Sequence, residues 1–229
     1  MSERNLVGFV YNPRLRTAVD LVGSLVDFFG LSGLSWISSA AELNISSEKL
    51  ADTSVIVTAG GDGTILRAVG VAAPFDIPIL GINLGRVGFM TELTAGEAKG
   101  KLPYYLDGAP RVEQRMMLLA SVTSGNRGDL VSVHALNDVV MSGGVVGRIS
   151  NVDVVIDGVF FTQYRADGVI VSTATGSTGY AMAAGGPILY PEARVMLIQP
   201  VASHISIHRG LVLPENSVVE LFTSDDQDP

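Results

Sequence analysis

The 229-residue sequence predicts an α/β unit built on a parallel sheet, followed by a region that is mostly β. Three observations carry this. Short apolar runs at residues 6–11, 34–37, 55–58 and 77–82 alternate with helical or turn material, the signature of βαβ units. A glycine turn, Gly60-Gly61-Asp62-Gly63-Thr64, joins one of these runs to the helix after it. From Val112 onward the texture changes to short, Val-rich alternating segments.

Taken in order, the run 6–11 ends at Asn12-Pro13 and reads as a strand, and residues 17–29 then place apolar side chains at helical spacing before Gly30. Residues 64–73 form the helix after the glycine turn, stopped by Pro74. Between Thr94 and Pro110 the composition shifts to Gly, Lys, Pro and Tyr, which marks a crossing between domains drawn as 1–98 and 99–229. In the second domain residues 152–156, 160–164, 169–172, 195–199 and 218–222 read as strands, with a turn at Asp157-Gly158. The polar run Ser224-Asp-Asp-Gln-Asp-Pro229 reads as a turn into one more strand. Ending there would leave strand 218–222 with an open edge, so the chain is expected either to be truncated or to cover that edge with a subunit partner. No fixed-period repeat is present, which argues against a solenoid.

Composition narrows the classes of function. Hydrophobic residues make up 47% of the chain, enough for a sizeable core without staples. There is no cysteine, which removes disulfides, thiolate nucleophiles and Cys-based zinc sites and fits a reducing compartment. The N-terminus lacks the basic segment and long apolar stretch of a secretory signal, so a cytoplasmic location is expected. No segment approaches the ~18 uninterrupted apolar residues that cross a bilayer, and the mean hydropathy of +0.38 is assigned to buried strands and a subunit interface. A net charge of −8 argues against a broad nucleic-acid footprint.

The glycine turn carries the chemistry. A strand-to-helix turn of this kind presents several backbone N–H groups at a helix N-terminus, a ready site for phosphate. Asp62 would repel a phosphate unless a divalent cation lies between them, or unless the carboxylate faces a hydroxyl that loses its proton as it attacks phosphorus. The same residues also fit a plain tight turn with Asp62 or Thr64 as a helix cap.

Three further stretches accompany it. Gly81-Ile-Asn83-Leu-Gly85-Arg86-Val-Gly88-Phe89 follows a predicted parallel strand, at the sheet end where open α/β folds bind ligands. On its plainest reading it is a glycine-rich loop with Phe89 in the core. Asn137-Asp138, between Leu136 and Val139, suits either hydrogen bonds to a ribose or adenine edge or an Asx turn. The third runs from Arg165 and Asp167 through Ser172-Thr-Ala-Thr-Gly-Ser-Thr178-Gly179-Tyr180 to Gly185-Gly186-Pro187. Its hydroxyls, glycines and aromatic suit a nucleotide's sugar and base. His134 reads as a surface or capping residue, while His204 and His208 fall in a polar gap between strands, and no pair has trustworthy metal-ligand spacing.

The ordered set GGDGT, GINLGRVGF, LND and ADGVIVSTATGSTGYAMAAGGP, followed by SHISIHRGLVLP, resembles the NAD kinase family over nearly the whole chain. GGDGT alone is shared with diacylglycerol and sphingosine kinases, and the STATGSTGY loop discriminates. The resemblance implies an N-terminal Rossmann-like α/β domain and a C-terminal β-sandwich-like domain, with NAD held between them and commonly against a neighbouring subunit, in a homodimer or homotetramer. It implies transfer of a phosphoryl group from ATP, or in some members polyphosphate, to the 2′-hydroxyl of the adenosine ribose of NAD, with Mg²⁺ or another divalent cation.

By matching position, Asp62 would engage the 2′-hydroxyl, with Gly61, Gly63 and Thr64 shaping the phosphate turn. Asn83, Arg86 and Phe89 would lie near the nucleotide, and Asn137 with Asp138 would hold the ribose and adenine of NAD. Asp167 matches the acid near the nicotinamide riboside, Arg165 just before it is a further cofactor-binding candidate, and Thr178, Gly179 and Tyr180 match the segment that contacts adenine. The chain departs from the family pattern at Asp138 (usually Glu), Ala174 (usually Pro), Gly179 (usually Ala) and Ser203-His204 (usually Pro-His). The competing readings are a catalytically weak NAD or NADP binder, and a lipid kinase with the same turn, against which the polar loop 172–180 argues.

Overall fold

The computed structural model describes residues 5–85, 88–123, 130–143, 150–203 and 209–223. The chain forms two compact units, Met1–Val112 and Glu113–Pro229.

The first unit is a five-stranded, all-parallel sheet with helices on both faces. In chain order it consists of β1 (Leu6–Tyr11), α1 (Arg16–Phe28), β2 (Ser35–Ser39), α2 (Ser47–Ala51), β3 (Thr53–Gly60), α3 (Asp62–Ala72), β4 (Ile79–Asn83), β5 (Leu93–Thr94) and α4 (Ala95–Asp107). A 3₁₀ turn over Ala73–Phe75 closes α3, with Pro74 ending the helix. The strand order is β2-β1-β3-β4-β5, the doubly wound order in which the chain switches direction between β1 and β3. Side-chain alternation explains the layering. Val7 and Phe9 of β1 join Val22 and Leu25 of α1 and Ala98 and Leu102 of α4, whereas Val10 faces the other way onto Trp36, Leu50 and Ala68. Gly8 is imposed by packing, since a Cβ there would meet the Trp36 ring at 2.3 Å.

Helix α4 lies where a crossing is expected from composition, and it shifts the boundary between units to 112/113 from 98/99. Gly96, Gly100 and Pro103 hide it, because glycine and proline cost roughly 1 and 3 kcal/mol in a helix interior. What forms it is a capping box, in which Glu97 accepts from the Thr94 backbone N–H at 3.0 Å, an i,i+4 pair with Lys101, and burial of Ala98 and Leu102 in the core.

The second unit is a two-sheet sandwich. Its strands are β6 (Leu118–Thr123), β7 (Leu130–Ala135), β8 (Asp138–Ser142), β9 (Ser150–Ile156), β10 (Val159–Ala166), β11 (Gly168–Thr173), β12 (Val195–Val201), β13 (Leu211–Pro214) and β14 (Val219–Thr223). Sheet β10-β9-β14 contributes Val152, Val154 and Tyr164 to a core shared with Val169, Val171 and Ile198 of sheet β13-β12-β11-β8. The opposite face of β11 carries Ile170 against Ala181 of the short helix α5 (Tyr180–Ala183). Strand β11 is therefore buried on both faces, which explains its unbroken apolar run. Asp157 and Gly158, with φ of 51° and 78°, make the tight β9–β10 turn expected from their sequence. Strands β6, β7, β8 and β13 are not foreseen from the sequence; β6 and β7 form a separate ribbon in which only Leu118 is buried.

Candidate functional site

In the first unit the predicted residues gather at the carboxyl edge of the sheet. Parallel register sets Gly60 beside Asn83, and the chain leaves β3 through Gly60-Gly61 directly into α3, with Asp62 as its first residue. Asn12 follows β1 next to them, its N–H donating to the Ala59 carbonyl at 3.0 Å. The cluster therefore straddles the switch point between β1 and β3, where doubly wound sheets bind ligands.

Of the three glycines in the Gly60–Gly63 turn, only one is demanded by the unit's own packing. A Cβ on Gly60 would lie 2.2 Å from Thr64 Oγ1, whereas Cβ atoms on Gly61 and Gly63 would point into open space. Neither has a left-handed backbone, so their glycine character fits a backbone that must be approached closely from outside. Thr64 is buried, its N–H donating to the Gly61 carbonyl at 2.8 Å.

Asp62 is held by a loop 27 residues away. Phe89 N–H donates to Oδ2 at 3.0 Å and Met90 N–H to Oδ1 at 3.2 Å. Phe89 itself is 64% exposed, which corrects its expected place in the core; its backbone works on Asp62 while its ring faces outward. Asn83 Oδ1 accepts from Gly85 N–H at 2.9 Å, an Asx turn that shapes the start of that loop. Arg86 lies outside the described residues, as do His204, His208 and the run 224–229.

In the second unit Asn137 and Asp138 meet the hydroxyl loop at one end of β11, with Asp138 directly paired with Ser172. Thr173 N–H donates to the Asn137 carbonyl at 2.8 Å, and Thr173 Oγ1 bridges the Leu136 carbonyl and Gly176 N–H. Ser177 Oγ donates to the Ala174 carbonyl and accepts from Leu189 N–H. The hydroxyls of Thr173 and Ser177 are thus spent on folding the loop. Burial of a polar side chain without a partner is expensive, yet Asn137 Oδ1 is buried with no hydrogen-bond partner. Asn137 is therefore no Asx turn. Its amide nitrogen and Asp138 Oδ2 both lie 3.8 Å from where a Cβ on Gly179 would be, so the two side chains converge on that glycine. Desolvation raises the pKa of Asp138 above the ordinary carboxylate range.

Tyr180 follows at 47% exposure and presents much of its ring to the surface. Arg165 and Asp167 are not in this cluster. Gly168 pairs with Ser142 and Ser172 with Asp138, so Asp167 sits at the opposite end of β11. At about 3.3 Å per residue the two ends are roughly 16 Å apart. His134 is exposed on β7. Asn12 and Met90 are absent from the sequence-based set; the Asn-Pro ending of the first strand is the signal for Asn12, and Met90 acts only through its backbone.

Fold and site together define a class: a doubly wound α/β unit with an acid-bearing glycine turn at its switch point, joined to a β-sandwich with a buried polar loop. Family comparison makes this specific. Residues 35–109 match the ATP-NAD kinase N-terminal domain and residues 136–229 the ATP-NAD kinase C-terminal domain. An NAD kinase from Dehalococcoides mccartyi is 40% identical over 218 residues, covering 94% of this chain and 76% of that protein. One from Moorella thermoacetica is 38% identical over 219 residues, covering 93% and 70%. Among solved structures, an Archaeoglobus fulgidus NAD kinase in complex with ATP matches at TM-score 0.75 and 27% identity, covering 95% of this chain and 80% of that one. Yeast NADH kinase complexed with NADH shares the fold at TM-score 0.84 and 24% identity, covering 98% and 74%. The chain belongs to the NAD kinase family.

Proposed function

We propose that this chain phosphorylates the 2′-hydroxyl of the adenosine ribose of NAD, with ATP as donor, to give NADP. The observation that carries the reading is Asp62. It is an ionisable carboxylate on the first residue of α3, beside two glycines whose outward faces are open. In the proposed step the ribose 2′-oxygen bonds to the γ-phosphorus, the bond from that phosphorus to the β–γ bridging oxygen breaks, and Asp62 takes the hydroxyl proton. The open backbone at Gly61 and Gly63 and the buried Thr64 support a phosphate cradle at the helix N-terminus, with Asn83, Arg86 and Phe89 assigned to the nucleotide.

In the second unit the unpartnered Asn137 Oδ1 and the carboxylate of Asp138 are assigned to the NAD ribose and adenine, with Thr178, Gly179 and Tyr180 along the base. Asp167, about 16 Å away along β11 by the strand rise, and Arg165 on β10 are assigned to the nicotinamide riboside end of an extended dinucleotide, in this copy or a neighbouring one. A homodimer or homotetramer, a cytoplasmic location, and no nucleic-acid or membrane partner are part of the proposal; among the described residues no helix is long and apolar enough to cross a membrane.

A divalent cation, Mg²⁺ above all, is proposed as the companion of ATP. Among the described residues no group of three His, Cys, Asp or Glu side chains converges into a cage. That fits an ion carried on the phosphates with one carboxylate at most, the usual habit of Mg²⁺. Bound there, it would spread the charge of the transferring group.

Coupled measurement of NADP formation, with NAD or NADH as acceptor and ATP or polyphosphate as donor, tests the proposal. NADP produced from NAD and ATP is the expected result. Calorimetric NAD binding with no product from any donor would instead establish the reading as a binding protein.

A further inference from the structure

An aspartate at the first position of a helix has its backbone fixed and its two side-chain torsions free. In this protein a second element removes that freedom. The loop after β4 returns toward the sheet at Gly81, whose carbonyl accepts from Glu92 N–H at 2.9 Å, and passes over α3 close to Ile65. Phe89 and Met90 thereby bring one N–H to each oxygen of the Asp62 carboxylate. One bond per oxygen fixes both torsions and the carboxylate plane, while each oxygen keeps a second lone-pair direction for a hydroxyl.

Residue 88 decides whether the loop can approach so closely. A Cβ on Gly88 would lie 2.2 Å from Asp62 Oδ1, 2.8 Å from Cγ and 3.0 Å from Oδ2, and these are its three nearest atoms. Contact with Asp62 accounts for the glycine.

We propose that the 88–90 loop is the device that aims Asp62, with Gly88 as a positioning residue and the Phe89 and Met90 N–H groups as its two fixed donors. The proposal rests on the reading of Asp62 as the acid that accepts the ribose proton. On that basis Gly88→Ala displaces the carboxylate and leaves every residue of the second unit unchanged, and a small misplacement of a reacting group is costly in rate.

The test is a cycle of Gly88→Ala, Asp62→Ala and the double variant, read by kcat, calorimetric NAD affinity and Tm. Gly88→Ala is expected to lower kcat by at least ~10-fold with NAD affinity within about threefold, and to lower Tm. Adding Gly88→Ala to Asp62→Ala should leave Tm unchanged, because the group it strikes is gone. Retention of kcat in Gly88→Ala, loss of NAD binding in step with activity, or an equal Tm penalty in both backgrounds would overturn the proposal. Should Gly88→Ala alone not fold, a double variant as stable as Asp62→Ala supports the contact and an unfolded one refutes it. Undiminished turnover by Asp62→Ala would remove the general-base reading and the aiming role with it, while the Tm cycle still reports on the contact by itself.

Discussion

The carbonyl oxygen of Asn137 occupies the space where a side chain on Gly176 would begin: a Cβ there would lie 2.2 Å from it and 2.6 Å from Ser172 Oγ. This approach closes the hydroxyl loop onto the β7–β8 bend, and it makes Gly176 a load point for the whole cluster. Gly176→Ala is expected to destabilise the second unit by about 1–3 kcal/mol and to weaken NAD binding, measured by thermal melting and calorimetry. An unchanged Tm would show that the bend moves aside freely.

Replacing Asn137 or Asp138 by Ala should raise the KM for NAD while leaving kcat nearly intact. Cutting away one partner of a buried polar contact costs about 1–3 kcal/mol, which is roughly a 5- to 150-fold loss of affinity. Steady-state kinetics with NAD varied at saturating ATP checks it, and an unaltered KM in both variants would return the pair to a purely structural role.

Asp62→Asn is nearly isosteric, and it should lower kcat by at least ~100-fold with little effect on NAD affinity. Turnover close to that of the parent would restore the reading of this turn as a capped strand-to-helix junction.

Acid should loosen the first unit through Glu97. The hydrogen bond from Lys101 does most to stabilise the carboxylate, followed by those from the Thr94 backbone and hydroxyl, and together they lower its pKa from an ordinary 4.5 to about 2. A lowered acid pKa means the folded state binds fewer protons, so this contribution is full above 4.5 and is lost as pH falls toward 2. Glu97→Gln should remove that part of the pH dependence. Denaturant melts between pH 5 and 2 followed by the fluorescence of the single tryptophan, Trp36, which is buried in the first unit, would show it.

Burial of Asp138 works in the opposite sense. Desolvation raises its pKa, so the folded state holds its proton longer, and stability from this group is present at low pH and lost as pH rises through the folded value. Asp138→Asn should therefore gain stability relative to the parent at pH 7 more than at pH 4. An equal difference at both would mean that the carboxylate is fully solvated.

The sequence by itself determined the strands whose burial is periodic or continuous, such as β1, β3 and β11, together with the Asp157-Gly158 turn and the strand-turn-helix setting of Asp62. These follow from local rules, since hydrophobic period and turn chemistry act over a few neighbouring residues. It also pointed to Asn137 and Asp138 but left open whether they bind or merely turn. Only the tertiary structure decided that no Asx turn forms at Asn137. Asn137 Oδ1 is buried without a partner, while the main-chain carbonyl of Asn137 accepts from Thr173 N–H, 36 residues on. Helix α4 appears in spite of its glycines and proline because Leu102 is buried in a core formed by α1 and the sheet. Phe89 lies outside that core, and its N–H reaches Asp62, because Gly81 and Gly88 let one loop press against one helix. Which donor a carboxylate meets depends on contacts between segments far apart in the chain, and no local pattern encodes them.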